Sequence, residues 1–331
     1  MNKNKIENKG SHKLKKIIGF IVFQFIFALI ILPCLVFYGP FTNVKKTVVG
    51  AAMTTMSHQY IAKLFLSDAE INKILGENTI DTIQQQGPVI KFSNKHDGSI
   101  ERDDIVEGKK FKGYMLIIHD PTRVKVGYSS NLGVAGEMTS QIAKNAGAVA
   151  AINGGGFSDK SGNTKWTGTG GMPIGILMSQ GKIISNTIKD NNSKNDVMAI
   201  TKDGVLLVGP HSINEMNKLG VSDAISFGPA IIVNGQTTIK SGDGGWGIAP
   251  RTAIGQRKDG AILLLVIDGR QAKSLGATLK DVQNIMAKYQ AYNATNLDGG
   301  SSSTMYYDGE IVNNPCDPLG ERSVPSVVYV K

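Results

Sequence analysis

The sequence has few of the side chains on which several common kinds of active site depend. Its 331 residues include two cysteines, five histidines and two tryptophans. Cys34 lies in an apolar run near the N-terminus and Cys316 lies far along the chain, so we expect neither a disulfide nor a cysteine nucleophile. The histidines are scattered and make no metal-ligand pair, which disfavours a transition-metal phosphoesterase.

Motifs for nucleotide binding and for serine hydrolysis are also missing. The run Gly154-Gly155-Gly156 lacks the spacing of a dinucleotide-binding loop, and there is no P-loop lysine-serine pair. No Gly-x-Ser-x-Gly motif surrounds Ser301 to Ser303, which weakens a serine-hydrolase interpretation.

The net charge of +9 is concentrated at the N-terminus. Residues 1–16 carry six lysines and one glutamate, a net charge of +5. The rest of the chain has 30 basic and 26 acidic residues, a net charge of +4, and no basic stripe interleaved with aromatic residues. We therefore expect no nucleic-acid partner.

A long apolar run, Ile17 to Phe37, follows the lysines, and Gln24 is its only strongly polar side chain. A helix of about 20 apolar residues spans a bilayer, and preceding lysines favour a cytoplasmic N-terminus. The alternative is a cleaved signal peptide, whose apolar region usually has about 7–15 residues and ends in a small-x-small site. This run is longer, and Phe37-Tyr38-Gly39-Pro40 is a poor cleavage site. We expect an uncleaved single-pass anchor in the cell membrane, with the rest of the protein extracytoplasmic.

Beyond the anchor, strand patterns outnumber helix patterns. Hairpin turns are indicated at Gln180-Gly181, Asp203-Gly204 and Asn234-Gly235, and short helices are predicted after Ser212, in a capping box, and after Thr278. We predict an α+β fold with mixed or antiparallel sheets and flanking helices, preceded by one transmembrane helix. The predicted parts are a basic cytoplasmic tail, a transmembrane anchor, a juxtamembrane helical or linker region and a large domain, at residues 1–16, 17–37, 38–110 and 111–331.

The stretch Asn296 to Thr304 has the composition of an active-site loop. Asp298 is followed by Gly299 and Gly300, which allow a tight turn and close approach of a ligand to the backbone. Three serines and a threonine then supply hydroxyls and clustered N–H groups for a polar or anionic ligand.

Other polar groups stand at strand ends, where scaffolds commonly place functional side chains. Asp268 and Asp298 could serve as acid and base, or as nucleophile and acid, on a glycosidic bond, or each could only cap a turn. Arg251 could clamp a phosphate with its guanidinium group, or form a structural salt bridge. Asn153 could orient a sugar hydroxyl or serve only as a turn residue. Trp166 and Trp246, in glycine-rich loops, could stack on a sugar or pack.

Several of these segments, taken in order, resemble the phosphodiester glycosidase family. The resemblance covers about residues 111–331 and includes a late Arg322-Ser323-Val324-Pro325. The segments that carry it are Ala151-Ile152-Asn153-Gly154-Gly155-Gly156-Phe157, Arg251-Thr252-Ala253-Ile254-Gly255, Asp268-Gly269 and Asn296-Leu297-Asp298-Gly299-Gly300-Ser301-Ser302-Ser303.

The resemblance implies hydrolysis of a sugar-1-phosphodiester at the anomeric carbon. It implies Asp298, Asp268 and Arg251 as catalytic residues and no obligatory cofactor. The substrate-binding residues that it implies are Asn153, Gly154, Phe157, Thr252, Gly299, Gly300, Ser301, Ser302 and Ser303.

This chain has Ser301 where the family usually has a third glycine, so the sugar specificity is not implied. Bacterial members are often described as exopolysaccharide-related, which implies an envelope glycopolymer as substrate. Two other functions are open: an envelope glycopolymer-binding module without catalysis, and a calcium-dependent hydrolase in which Asp298 and Asp268 bind the metal.

Overall fold

The chain folds into a helical unit and a sheet unit. In the computed structural model these compact units are Met1–Gly76 and Glu77–Lys331. The structure describes, with side chains from residue 14 onward, residues 3–53, 59–75, 79–85, 97–108, 110–159 and 168–331.

The helical unit contains one long apolar helix. Its segment Leu14–Tyr38 is long and apolar enough to cross a membrane, as expected for residues 17–37. Shorter helices follow and enclose a small core that includes Phe37, Val49 and Ile71. The helices of this unit are α1 (Lys3–Tyr38), α2 (Thr42–Met53), α3 (Tyr60–Lys63) and α4 (Asp68–Leu75).

The sheet unit is built mainly of short strands. Its helices are α5 (Thr139–Asn145), α6 (Ile213–Lys218) and α7 (Leu279–Lys288), with single 3₁₀ turns at Pro121–Arg123 and Gly300–Ser302. The described strands are β1 (Thr79–Ile80), β2 (Ile100–Glu107), β3 (Phe111–Ile118), β4 (Val124–Tyr128), β5 (Glu137–Met138), β6 (Ala150–Asn153), β7 (Phe157–Ser158), β8 (Met172–Pro173), β9 (Ile176–Ser179), β10 (Lys182–Asn186), β11 (Asn195–Thr201), β12 (Leu206–His211), β13 (Val221–Ser226), β14 (Ala230–Val233), β15 (Gln236–Thr237), β16 (Ile239–Ser241), β17 (Arg251–Arg257), β18 (Ile262–Ile267), β19 (Ala291–Leu297), β20 (Met305–Tyr307), β21 (Glu310–Ile311), β22 (Ser323–Val324) and β23 (Ser326–Val330).

Three sheets surround a shared apolar core. Their strand orders are β15-β14-β19-β17-β18-β3-β2, β10-β9-β13-β11-β12 and β21-β20-β6-β23-β4. The core takes Ile254 from the first sheet, Leu177 from the second and Val328 from the third. Separate apolar clusters join these sheets to α7, α6 and α5 respectively. The predicted α+β class is confirmed, and every registered pair among the described strands is antiparallel.

Local signals in the sequence located turns and helix starts well. Gln180-Gly181 and Asn234-Gly235 both adopt positive φ at both residues, as two-residue hairpin turns require. Ser212 and Thr278 each form a capping box at the start of α6 and α7.

The sheet unit begins earlier in the chain than the predicted boundary at residue 111. β2 pairs with β3 along its whole length, from Ile100 opposite Ile118 to Glu107 opposite Phe111. β2 is a mostly exposed edge strand with the polar sequence Ile-Glu-Arg-Asp-Asp-Ile-Val-Glu. Because an exposed edge strand needs little apolar alternation and is often charged, its sequence resembled a linker.

Candidate active site

The candidate catalytic residues lie at one end of three central strands of the seven-stranded sheet. In its antiparallel register, Arg251 pairs with Ile267 and Thr252 pairs with Leu297. The start of β17 therefore lies between the ends of β18 and β19, and Asp268 and Asp298 are the next residues after those ends. Three segments that are distant in the sequence therefore converge here.

The loop after β19 depends on its two glycines. Gly300 has a φ of +64°, a backbone conformation that is costly for other residues. A Cβ atom on Gly299 would lie 2.8 Å from the carbonyl oxygen of Pro250. The Asp298 amide donates to the Gly154 carbonyl oxygen (3.2 Å) and the Gly300 amide donates to that of Pro250 (2.9 Å). The loop is thus held close to two other segments.

Asn153 and Thr252 lie beneath this loop. Both are fully buried. The Asn153 Nδ2 donates to the Asp298 carbonyl oxygen (2.6 Å), while its Oδ1 accepts from the Thr252 hydroxyl (2.7 Å) and the Thr304 amide (3.2 Å). Thr252 is also 3.2 Å from the Ser303 hydroxyl. These two residues hold the loop in place, and the structure leaves neither of them surface for a ligand.

The carboxyl group of Asp298 has an unusual environment. The pKa of Asp298 is raised to about 6, mainly by burial among protein atoms and to a smaller extent by the negative charge of nearby Asp159. Hydrogen bonds from the Ser302 side chain and the Gly299 backbone, and the positive charge of Arg322, act in the opposite direction. The residue as a whole remains partly accessible to solvent. A carboxyl group with a pKa of about 6 can accept or release a proton near neutral pH.

Arg322 was not among the site residues predicted from the sequence. Its Nη1 donates to the Ser301 hydroxyl (3.2 Å) and its Nη2 to the Asp159 carboxylate (2.6 Å). The guanidinium carbon lies 5.2 Å from the ring centre of Phe157, a cation–π contact. The signal that could have identified it is the late Arg-Ser-Val-Pro segment, which resembles the family.

Asp268 sits close to the loop but belongs to a separate hydrogen-bond network. It is 3% exposed, and burial raises the pKa of its carboxyl group. Oδ1 accepts from Asn313 Nδ2 (3.1 Å) and from the Asn314 amide (2.9 Å), and Oδ2 accepts from the Tyr114 hydroxyl (3.4 Å). Asn313 Nδ2 also donates to the Ser303 carbonyl oxygen (3.0 Å). Asp268 therefore supports the loop through Asn313.

Arg251 lies at the same end of the central strands as Asp298, but its side-chain N–H groups do not point to the Asp298 loop. Arg251 and Thr252 are consecutive in a strand and so point to opposite faces of the sheet. The Arg251 Nε donates to the Ala277 carbonyl oxygen (3.0 Å), and Nη2 donates to those of Trp246 (2.8 Å) and Gly247 (2.6 Å). Burial lowers the pKa of Arg251 to about 10. It fixes the loop before β17.

Trp246 contributes an aromatic ring near the site. Its ring meets Phe227 edge to face, with 6.0 Å between ring centres. Phe227 in turn lies against Gly156, where a Cβ atom would be 3.1 Å from the ring. Trp166, the other predicted stacking residue, lies outside the described residues.

Arg270 places a second guanidinium group beside the loop. The residue is exposed and has a φ of +59°. A Cβ atom on Gly300 would lie 3.4 Å from its Nη2. Within the described part of the chain, its side chain has neither a hydrogen bond nor an ion pair of its own. This cation remains available to an anionic ligand at the glycine turn.

Among the residues that the structure describes, no three His, Cys, Asp or Glu side chains come close enough together to hold a metal ion.

Comparison with known proteins shows three kinds of similarity. A sequence profile described as "Phosphodiester glycosidase" matches residues 146–331. N-acetylglucosamine-1-phosphodiester α-N-acetylglucosaminidase of Mus musculus is 26% identical over 253 residues, which cover 68% of this chain and 46% of the mouse protein. An SPbeta prophage-derived protein of Bacillus subtilis, YomE, is 38% identical over 81 residues, or 24% of this chain and 12% of that protein.

Among solved structures, the zebrafish N-acetylglucosamine-1-phosphodiester α-N-acetylglucosaminidase catalytic domain has the same fold. Its TM-score is 0.56 at 24% identity, over 76% of this chain and 87% of that one. The chain spans less than half the length of the full-length relatives that it matches.

Proposed function

The chain belongs to the phosphodiester glycosidase family, and from this premise we propose that it hydrolyses a sugar-1-phosphodiester at the anomeric carbon. In this reaction the bond between C1 and the phosphate oxygen breaks, and water supplies the new oxygen on C1. The free sugar and a phosphomonoester are released. Because the phosphate oxygen leaves as a stabilised anion, the reaction depends less on a strong general acid than ordinary glycoside hydrolysis does.

The buried carboxyl group of Asp298, with the positive charge of Arg322 nearby, carries the proposal. At pH 7 a carboxyl group with a pKa of about 6 is mostly ionised. Asp298 can therefore act as a nucleophile on C1 or as a general base that takes a proton from the attacking water. Its half-buried position keeps its basicity higher than that of an exposed aspartate.

The phosphate group is held by cations and amides in this proposal. Arg322 lies on one side of the loop and Arg270 lies beside Gly300. Both present guanidinium groups, which match phosphate oxygens in geometry and charge. The backbone N–H groups around the glycine turn add dipoles at the point where negative charge grows as the C1–O bond breaks. Ser301 orients Arg322, and Ser302 contacts Asp298.

The remaining predicted residues are given positioning roles. Asn153, Gly154 and Thr252 fix the Asp298 loop from below, Asp268 supports it through Asn313, and Arg251 fixes the loop before β17. Arg322 and Arg270 thus take the phosphate-binding role that the sequence suggested for Arg251, since the Arg251 donors are directed to backbone carbonyls.

We also propose where the protein lies in the cell and which class of polymer contains its substrate. The apolar segment Leu14–Tyr38, with lysines before it, supports a membrane anchor with its N-terminus inside and the sheet unit outside the cell. A sugar-1-phosphodiester of an envelope glycopolymer, such as an exopolysaccharide or a teichoic acid, is then the accessible substrate class.

Activity of the full chain in detergent tests the proposal. UDP-N-acetylglucosamine is the first probe, because the relatives named above act on an N-acetylglucosamine-1-phosphodiester, and wall teichoic acid fragments are the second. We expect free sugar to accumulate with the wild type and not with Asp298→Asn. Saturable binding of both probes without release of sugar would show a binding module and overturn the proposal.

A further inference from the structure

Large apolar side chains are exposed around the C-terminal end of α1, within the helical unit. These side chains, called the exit patch here, range from 48% exposed for Val44 to 72% exposed for Leu64. The exit patch consists of Tyr38, Phe41, Val44, Tyr60 and Leu64. A soluble surface seldom gathers several large apolar side chains that are this exposed to water.

The exit patch is fixed to the last turn of the apolar helix. Phe37 is 3% exposed and stacks on Phe65, with 4.6 Å between ring centres and 9° between ring planes. The Tyr38 hydroxyl donates to the Phe65 carbonyl oxygen. Leu66 completes the contact, since it is buried in the same core as Phe37. The segment around Leu64 is therefore held at the level where α1 ends.

The length of α1 determines how deep in a bilayer its C-terminal end and the segment around Leu64 lie. The 25 residues of Leu14–Tyr38 rise about 37 Å in an α-helix, which exceeds the hydrocarbon thickness of about 30 Å. The final turn therefore reaches the headgroup layer when the helix spans a bilayer. Aromatic side chains are enriched at that depth, and the exit patch supplies three of them, Tyr38, Phe41 and Tyr60.

We propose that the exit patch is a second membrane contact, in which these side chains insert between phospholipid headgroups of the outer leaflet. The inference rests on the membrane-anchoring part of the proposed function and is independent of its chemistry. The lipid is the favoured occupant because the patch continues directly from the apolar surface of α1. This contact would hold the helical unit against the bilayer surface.

Site-directed fluorescence of the full chain in nanodiscs tests the inference. In a Cys34→Ala, Cys316→Ser background, Leu64→Cys carries an environment-sensitive NBD label. Leu319→Cys is the matched control, because Leu319 is 92% exposed and lies in the sheet unit. Nanodiscs of phosphatidylcholine and phosphatidylglycerol contain a lipid with a nitroxide near its headgroup, and iodide serves as the aqueous quencher.

We expect the nitroxide lipid to quench the label at position 64 at least threefold more than the label at position 319, and iodide to show the opposite order. Equal iodide quenching at the two positions would overturn the inference. Protection from iodide without nitroxide quenching would assign the patch to a second copy of the chain and overturn it too.

Two parallel measurements separate this inference from the proposed function. Release of the chain from vesicles by alkaline carbonate would refute the anchor, and this inference with it, while leaving the hydrolysis assay unaffected. Retention in the membrane with an iodide-accessible label would refute the lipid contact alone.

Discussion

Asp298 and Arg322 lie close enough for their charges to interact: burial raises the pKa of the Asp298 carboxyl group to about 6, and the Arg322 guanidinium group opposes that rise. The same guanidinium group is held by Asp159 and Ser301. Arg322 therefore occupies a fixed position, and its charge favours the ionised form of Asp298. In the mechanism that we propose, this charge links phosphate binding to the reactivity of the carboxylate.

The first prediction concerns the pH dependence of the wild type. The ionised form of Asp298 is the reactive one in our mechanism, and a pKa of about 6 means that this form is lost as the pH falls through 6. Hence kcat/KM should rise with pH between about 5 and 7, with the midpoint of this limb near 6. A rate that stays constant from pH 5 to pH 7 would contradict the assignment of Asp298.

The second prediction concerns Arg322→Met. Loss of the cation removes a stabilising charge from the Asp298 carboxylate, so the acidic limb of kcat/KM should move to higher pH. Loss of a phosphate-binding group should also lower kcat by about 10²–10³-fold. Arg322→Lys keeps the charge, so it should restore the limb towards the wild-type position while recovering only part of kcat. If the acidic limb of kcat/KM does not move in Arg322→Met, then Arg322 does not influence the pKa of Asp298, which would contradict this prediction.

The third prediction concerns Asp298→Asn, whose effects on activity and stability should have opposite signs. We expect turnover to fall by about 10²–10⁴-fold. The folded-state pKa of Asp298 is raised, so its ionisation destabilises the wild type as the pH rises from about 4 to about 6. The variant does not titrate there, so its unfolding free energy relative to the wild type should increase by about 1–3 kcal/mol between pH 4 and pH 7.

Thermal unfolding at both pH values checks this third prediction. Asp308→Asn is the control, because Asp308 occupies a hairpin turn at a φ of +50° that asparagine also tolerates. The control should retain wild-type activity. Near-normal turnover in Asp298→Asn would remove this residue from the mechanism.

The fourth prediction concerns Asp268→Asn, for which stability is the main effect. Asp268 accepts hydrogen bonds from Asn313, Asn314 and Tyr114 in a buried setting. An amide at this position loses the charged acceptor and leaves buried donors poorly paired, which should cost about 1–3 kcal/mol of unfolding free energy. A variant with an unchanged melting temperature and no turnover would instead make Asp268 a catalytic residue.

The sequence predicted the features of this protein that depend on neighbouring residues. The Asp298 loop was recognisable because its glycines and hydroxyls follow an apolar strand directly, and the capping boxes at Ser212 and Thr278 are complete within four residues. Hairpin turns such as Asn234-Gly235 were recognisable for the same reason.

Features that depend on the packing of distant segments were not accessible in this way. The direction of the Arg251 side chain follows from the register of β17 and from the carbonyl groups of a preceding loop. The proximity of Arg322 to Asp298 depends on how the C-terminal segment crosses the loop. The membership of β2 in the sheet was hidden because its own sequence is mostly polar and exposed, while its partner β3 supplies most of the apolar residues of the pair.

Hydrolysis of UDP-N-acetylglucosamine in H₂¹⁸O tests the central claim most directly, because the position of the label reveals which bond breaks. We predict that the chain releases N-acetylglucosamine together with UDP whose terminal phosphate contains no ¹⁸O, since water adds to C1 of the sugar. Incorporation of ¹⁸O into a phosphate of the nucleotide product would show cleavage at phosphorus and would contradict a glycosidase mechanism.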